Sequence, residues 1–220
     1  MREVNLEKAR FNMVEQQVRP WDVLDPKVLE VMDRVLREHF VSGAHRNLAY
    51  SDLNLPIGHD EVMLSPRQEG RILQALSPQE TEQVLEVGTG SGYLTACLAT
   101  LARHVTSIDI HPEFLEQAQG RLEREALRNV SLISGDAAAG WDDGKRYDAI
   151  AVTGSLPELH QGFHHSLTIG GRLFAIVGDG PIMEALLITR VGEEQWATHS
   201  LVDTYIPPLV NAPRTPRFKL

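Results

Sequence analysis

Three glycines at alternate positions interrupt an apolar stretch at residues 84–93 (VLEVGTGSGY), and this run constrains the fold more than any other feature of the chain. The apolar residues before it are typical of a strand buried in a parallel sheet. Glycine is needed where a backbone turns with positive φ or approaches a ligand that a Cβ would displace. Apolar spacing resumes at Tyr93 and predicts a helix whose first N–H groups face polar ligand atoms. The run therefore predicts a strand, a nucleotide-binding turn and a helix.

Acidic residues near the predicted strand ends narrow the choice of ligand. Residues 105–109 (VTSID) predict a second strand that ends at Asp109, about where a ribose-binding carboxylate belongs. Residues 130–133 predict a third strand, and Asp136 follows it at the expected adenine edge. Glu86, just before the first glycine, would repel a pyrophosphate but suits a ligand with an amino group and a sulfonium. S-adenosylmethionine therefore fits these acids better than NAD.

The remaining periodicity predicts the architecture. Further strands are predicted at 147–153 and 172–177, an antiparallel hairpin at 185–191 and 196–202, and helices at 5–18, 26–38, 66–76 and 160–167, the last closed by Gly170 and Gly171. Residues 41–66 are predicted to be mostly loop. We predict an α/β fold with a doubly wound, mostly parallel, Rossmann-like sheet, an N-terminal helical extension and a C-terminal antiparallel hairpin. The predicted division is 1–78 for the helical and substrate-loop segment and 79–220 for the cofactor-binding core.

Composition excludes several classes of partner. With 220 residues, 42% of them apolar, the chain can bury a full core. The net charge of −9 argues against a nucleic-acid surface and suits a peptide or small-molecule partner. The single cysteine, Cys97, cannot form an internal disulfide. No run of 18 apolar residues exists and the N-terminus is charged, so we expect no membrane contact and a cytoplasmic protein. No oligomeric state is predicted.

Segments outside the glycine turn resemble the protein-L-isoaspartate O-methyltransferases. They are residues 13–19 (MVEQQVR), 37–41 (REHFV), 49–52 (AYSD), 55–58 (LPIG), 170–173 (GGRL) and 187–190 (LITR), with Thr153 and Pro157. The glycine turn by itself resembles only the wider class I methyltransferases. The family resemblance implies a seven-stranded sheet and S-adenosylmethionine as cofactor. It also implies protein repair, in which the abnormal carboxylate of an isoaspartyl residue is methylated in a damaged protein.

The turn, the acids and the resemblance together give a set of candidate cofactor-binding residues. They are Glu86, Gly88, Thr89, Gly90, Gly92, Asp109, Ile110, Asp136, Ala137 and Thr153. No metal is expected. His160, His164 and His165 invite a metal interpretation, but no carboxylate or cysteine completes a site at comparable spacing.

One loop departs from the family pattern. Where the family usually has Gln-Thr-Ile-Ser-Gln-Pro, this chain has EVMLSP at residues 61–66. Val62 and Leu64 replace the hydroxyl-bearing Thr and Ser, so the substrate contacts expected there are missing. Glu61 adds a negative charge near a pocket meant for an anionic substrate. The departure is evidence for a divergent paralogue as the alternative to an isoaspartyl methyltransferase, and it predicts weak or absent activity on isoaspartyl peptides.

The candidate acceptor-loop residues are accordingly Leu64, Ser65 and His59. Ser65 would supply the missing hydroxyl only if the loop shifts by one residue. A phenol or amine acceptor must lose a proton, and His59, or Asp60 beside it, would then serve as the base.

Three functions remain open at this stage. The first is an isoaspartyl protein methyltransferase. It needs no general base, because a carboxylate is ionised at neutral pH and positioning carries most of the catalysis. The second is a methyltransferase that acts on a small hydroxylated or carboxylated metabolite. The third is a non-catalytic cofactor-binding module. Residues 59–66 distinguish the first two functions, and an intact cofactor site counts against the third.

Overall fold

The computed structural model describes residues 5–214. The helices are α1 (Leu6–Asn12), α2 (Pro26–Arg34), α3 (Pro66–Leu76), α4 (Tyr93–Leu101) and α5 (Pro112–Arg124). The strands are β1 (Leu55–Gly58), β2 (Glu61–Met63), β3 (Gln83–Val87), β4 (His104–Asp109), β5 (Val130–Ser134), β6 (Tyr147–Leu156), β7 (Leu167–Val177), β8 (Met183–Gly192) and β9 (Gln195–Thr204). No described helix is both long and apolar enough to cross a membrane.

Seven strands form the central sheet in the order β5-β4-β3-β6-β7-β8-β9. Strands β5, β4, β3, β6 and β7 run parallel, and β8 and β9 are added antiparallel at one edge. The predicted mostly parallel sheet and its C-terminal hairpin are therefore confirmed. From β3 the chain builds β4 and β5 on one side and then returns to place β6 on the other. The carboxyl ends of β3 and β6 thus form the switch point where open α/β sheets bind ligands.

Local sequence explains where α3 begins and ends. Ser65 precedes the helix as its N-cap, and the Gln68 side chain accepts a hydrogen bond from the Ser65 backbone N–H at 3.0 Å. Pro66 occupies the first helical position, which needs no N–H donor. Ser77 takes a left-handed conformation and ends the helix. The predicted helix over 66–76 is confirmed.

Two predicted helices are shorter than the periodicity suggested. The helix predicted over 26–38 ends at Arg34, because Val35 adopts extended backbone, and a separate 3₁₀ turn follows at Arg37–His39. The helix predicted over 5–18 is α-helical only to Asn12 and continues as a π-helical turn over Met13–Val18.

Two further predictions were wrong. The segment 160–167 forms only a 3₁₀ turn, Gln161–Ser166, because Leu167 is already extended and begins β7. Gly170 and Gly171 therefore lie inside that strand rather than closing a helix. The segment predicted to be mostly loop at 41–66 contains the β1–β2 hairpin, whose two strands pair antiparallel.

Alternate residues of the sheet pack into two apolar clusters on its opposite faces. Val84 and Phe174 belong to the cluster that includes α4 and the N-terminal helices. Their strand neighbours Leu85 and Leu173 belong to the cluster beneath Phe163. Strands covered on both faces explain the near-continuous apolar runs in the sequence.

Arg172 of β7 connects the N-terminal segment to the sheet. Its guanidinium donates hydrogen bonds to the backbone carbonyls of Leu76 and Ser77 at 2.5 and 2.7 Å. It also pairs with the Glu82 carboxylate through two N–H groups, at 2.6 and 2.7 Å. The end of α3 is thereby fixed against β7.

Candidate active site

The three glycines of the turn have different structural roles. All three have positive φ, with values of 99° at Gly88, 51° at Gly90 and 83° at Gly92. A Cβ on Gly88 would lie 2.2 Å from Thr153 Oγ1, and one on Gly92 would lie 2.9 Å from Ala118 Cβ. Gly88 therefore lets β6 approach the turn, and Gly92 lets α5 pack against it. Gly92 does not line the cavity above the turn, whereas the other two do.

A cavity opens above the carboxyl ends of β3, β4, β5 and β6. Eight candidate cofactor residues line it, namely Gly88, Thr89, Gly90, Asp109, Ile110, Asp136, Ala137 and Thr153. Residues 61–64 and Ile57 form another part of the wall, and residues 207–210 complete it. The structure thus brings most of the sequence-predicted residues to one place.

Asp109 ends β4 with its carboxylate facing the turn. One carboxylate oxygen accepts the Gly90 N–H at 2.9 Å, and the other accepts the His111 N–H at 2.9 Å. Each oxygen keeps a further lone pair. The backbone therefore fixes the orientation of Asp109 and leaves the carboxylate able to accept hydrogen bonds from vicinal hydroxyls.

Asp136 follows β5 and lies on the neighbouring wall. It accepts the Ala138 N–H at 3.0 Å and the Asn211 side-chain amide at 2.8 Å. Asn211 belongs to the segment after β9, which also pairs with β6 through backbone hydrogen bonds between Ser155 and both Pro207 and Leu209. Residues 207–210 of that segment line the cavity. Residues 215–220 of the tail lie outside the described part of the chain.

Glu86 is fully buried beneath the turn and does not line the cavity. One carboxylate oxygen accepts hydrogen bonds from the hydroxyls of Thr95 and Ser107 at 2.5 and 2.6 Å, and the other has no partner. Burial raises the pKa of Glu86 to about 8, although the two hydroxyl donors oppose this shift. Glu86 is thus placed to support the turn through α4 and β4 and does not face the cavity.

The hydroxyl groups of the candidate residues Thr153 and Thr89 already form hydrogen bonds within the protein. Thr153 donates to the backbone carbonyls of Val87 and Gly88, both at 2.9 Å. Thr89 lies 2.6 Å from the Ser107 hydroxyl. Ser107 in turn lies 2.6 Å from a Glu86 carboxylate oxygen, so the Thr89 hydroxyl belongs to a buried chain of three polar groups.

The acceptor-loop candidates lie in three different environments. Leu64 lines the cavity together with Val62, whereas Ser65 is buried at the start of α3 and does not line it. His59 is exposed at the tip of the β1–β2 hairpin, also outside the lining, with a positive φ of 52°. Its ring stacks on His111, with 4.2 Å between centroids. The structure therefore places apolar side chains where hydroxyls are expected, and it does not bring Ser65 or His59 into the wall.

Glu61 lies at the start of β2 and is half-buried in the cavity wall. Burial raises its pKa, the nearby Asp109 and Asp60 carboxylates raise it further, and His111 and His59 oppose the shift. Among residues 5–214, no hydrogen bond or ion pair to its carboxylate is found.

A buried ion pair beside the cavity was not anticipated from the sequence. Arg37 is fully buried, donates to the Leu64 carbonyl at 2.5 Å and pairs with Glu69, which lines the cavity. The Arg37 guanidinium also lies 4.8 Å from the centre of the Tyr93 ring. A signal existed for Glu69, because it shares the apolar face of α3 with Ile72, Leu73 and Leu76, where an acid needs a partner.

The histidines that come together with an acid are not the three at residues 160–165. Ligand atoms of His59, His111 and Glu113 lie within 4.8 Å of one another at the hairpin tip. Among the described residues, His160, His164 and His165 do not form such a group. His164 instead packs edge-on against Trp196, and burial lowers the pKa of its imidazole.

Comparisons with known proteins agree with this geometry. The profile of the Protein-L-isoaspartate(D-aspartate) O-methyltransferase (PCMT) family matches residues 9–212. A protein-L-isoaspartate O-methyltransferase from Syntrophus aciditrophicus is 38% identical over 188 residues, 86% of each chain. A protein-L-isoaspartate O-methyltransferase 2 from Marinobacter nauticus is 36% identical over 207 residues, 94% of each chain.

A solved structure shares the fold. It is a putative protein-L-isoaspartate O-methyltransferase from Plasmodium falciparum in complex with S-adenosyl-L-homocysteine, with a TM-score of 0.78 and 19% identity over 94% of this chain and 99% of that one. The profile match and the level of identity to the curated relatives show that this chain belongs to the protein-L-isoaspartate O-methyltransferase family.

Proposed function

We propose that the protein is an S-adenosylmethionine-dependent methyltransferase and that methyl transfer takes place in the cavity above the glycine turn. The observation that carries the proposal is the placement of Asp109 and Asp136. These acids end or follow adjacent parallel strands and face one cavity beside glycines with positive φ. The arrangement suits a nucleoside whose ribose hydroxyls and adenine amino group are hydrogen-bond donors.

The residues present fit that cofactor. Asp109 would hold the ribose hydroxyls, since its orientation is fixed by two backbone N–H groups. Ile110 and Ala137 supply apolar lining for the adenine, and Gly90 keeps the space above the turn open. S-adenosylmethionine supplies a methyl group on a positively charged sulfur. The carboxylates in the lining favour such a cation and disfavour the pyrophosphate of NAD.

The curated relatives are named protein-L-isoaspartate O-methyltransferases. The first candidate acceptor is therefore the carboxylate of an isoaspartyl residue. A second acceptor class is supported by the lining itself, because Val62 and Leu64 face the cavity at the positions expected to carry hydroxyls. The intact set of lining residues weighs against a non-catalytic module.

We also propose a cytoplasmic location, supported by a single, buried, free cysteine. The division into segments 1–78 and 79–220 likewise remains a proposal.

Isothermal titration with S-adenosylhomocysteine tests cofactor binding. Asp109→Ala removes the acceptor of the ribose hydroxyls, so we expect affinity to fall by about 1.5–3 kcal/mol, the value of hydrogen bonds to a charged group. Glu116→Gln, an exposed acid on α5, serves as the control and should bind like the wild type. Unchanged affinity in Asp109→Ala, or binding of NAD in place of S-adenosylhomocysteine, would refute the assignment.

A further inference from the structure

Two histidines and a glutamate from separate segments meet at the edge of the cavity. His59 lies at the tip of the β1–β2 hairpin, whereas His111 is the N-cap of α5 and Glu113 lies in the first turn of that helix. One ligand atom of each side chain lies within 4.8 Å of those of the other two. Among the residues that the structure describes, this is the only such group of three.

The distances in this group are close to those of metal ligands. The Nε2 atom of His59 lies 3.6 Å from an Oε2 atom of Glu113. Two atoms bound to one tetrahedral zinc ion by bonds of about 2.1 Å lie about 3.4 Å apart. The two side chains are 41% and 61% exposed, so they are free to turn toward His111. The His59 ring would leave its stacked position, because a metal ion lies in the plane of each imidazole that binds it.

His111 is the fixed member of the group. Its backbone N–H donates to the Asp109 carboxylate at 2.9 Å, and its ring packs edge-on against Phe114 with 5.3 Å between centroids. The Nε2 atom of this ring is buried, and the described residues give it no hydrogen-bond partner. A buried polar atom without a partner costs free energy. Coordination of a metal ion by the imidazole would remove that cost.

We propose that His59, His111 and Glu113 form a binding site for a divalent transition-metal ion of the zinc type. Two imidazoles and a carboxylate suit Zn²⁺, whereas Mg²⁺ and Ca²⁺ prefer oxygen ligands. Three protein ligands leave a fourth position for water. The surroundings favour a cation, because four carboxylates and no lysine or arginine line the neighbouring cavity.

The ion would connect two elements that border the cavity. Strand β2 follows the hairpin tip directly, and residues 61–64 belong to the cavity wall. His111 stands two residues after Asp109 on the opposite side of the contact. A bound ion therefore holds the hairpin against α5. This role is structural and adds no step to methyl transfer.

Calorimetric titration of Zn²⁺ into untagged protein that has been treated with a chelator tests the site. It is carried out at about pH 7.5, where a free imidazole is mostly neutral and able to bind a metal. His59→Ala, His111→Asn and Glu113→Gln each remove one ligand. The controls are Glu116→Gln, about one turn further along α5, and His199→Ala on β9, both at exposed positions.

We expect the wild type to bind one Zn²⁺ per chain and its Tm to rise when the ion is added, because a ligand that binds only the folded protein stabilises it. Each ligand variant should bind Zn²⁺ at least about tenfold more weakly. Both controls should bind like the wild type, and excess Mg²⁺ should not displace the ion.

The proposal is overturned if the wild type binds no Zn²⁺ or if Mg²⁺ displaces it. It is also overturned if His59→Ala and Glu113→Gln keep the wild-type affinity, since the group would then be an ion pair only. His59 and Glu113 are exposed, so their variants should fold and decide the question even if His111→Asn does not. Binding of S-adenosylhomocysteine tests the proposed function separately.

Discussion

The buried carboxyl group of Glu86 makes a specific contribution to the pH dependence of stability. Its pKa is raised to about 8 in the folded protein, against a usual value of 4.5, and burial is the largest cause. Below pH 4.5 the folded and unfolded states both keep the proton. Between the two values the unfolded chain has lost it while the folded protein retains it. The free energy of unfolding therefore falls as pH rises through this window.

The magnitude follows from the size of the shift. Each pKa unit corresponds to about 1.4 kcal/mol, so the full destabilisation is on the order of 5 kcal/mol above pH 8. Between pH 5 and pH 8 the change is about 3–4 kcal/mol. The Glu86→Gln substitution removes the titration. Its carbonyl oxygen still accepts the hydroxyls of Thr95 and Ser107, and its amide occupies the position of the oxygen that has no partner.

Urea unfolding of the wild type and Glu86→Gln at pH 5, 6.5 and 8 measures this difference. We expect the variant to gain about 3–4 kcal/mol relative to the wild type between the lowest and highest pH. Glu116→Gln, which is exposed, should give a curve parallel to the wild type. Parallel curves for Glu86→Gln as well would show that Glu86 is ionised in the folded protein, and the description of a neutral acid beneath the turn would be wrong.

Three further variants test the site. Gly90→Val should abolish S-adenosylhomocysteine binding, because φ at this residue is 51° and the added Cβ would meet Ile57 Cδ1 at 3.2 Å. The circular dichroism spectrum of the variant should be unchanged. Normal binding would contradict the turn geometry. Val62→Thr combined with Leu64→Ser should raise kcat/KM on isoaspartyl peptides by about 10- to 100-fold. If the wild type turns these peptides over robustly and the double variant leaves kcat/KM unchanged, the loop binds substrate in another way. Arg37→Met removes the donor to the buried Glu69 carboxyl and to the Leu64 carbonyl. Burial raises the pKa of Glu69 to about 8, so the acid stays largely protonated at pH 7, and urea unfolding should show a loss of about 1–3 kcal/mol for each acceptor left without a donor; an unchanged free energy of unfolding would mean that neither contact contributes.

The cofactor side of the site was predictable because its signals are local. Asp109 ends the run VTSID and Asp136 stands two residues after Ser134, the last residue of β5, and parallel strands bring their carboxyl ends to one edge of the sheet. To predict where the Glu86 side chain lies, one needs the register of β3 in the sheet as well as the order of the strands. It lies on the same sheet face as Val84, which is covered by α4, so it meets Thr95 instead of the cavity.

The acceptor side depends on contacts distant in sequence. Strands of four and three residues, such as β1 and β2, are too short to show a period of two. The position of Pro207 is set by a backbone hydrogen bond with Ser155 of β6. The sequence after β9 does not predict this pairing. Arg37 is buried where it pairs with Glu69 of α3. The periodicity of a single helix does not predict a pair between two segments.

The position of Arg172 has a consequence for producing parts of this protein. It lies on β7, yet two of the carbonyls to which it donates belong to Leu76 and Ser77, just before the proposed boundary at residue 78. A fragment that begins at residue 79 would leave those N–H groups without partners and would expose the sheet face on which the N-terminal helices pack. Expression of the sheet alone is therefore expected to yield aggregated protein, whereas supplying residues 1–78 as a separate chain offers a route to a complemented, soluble pair.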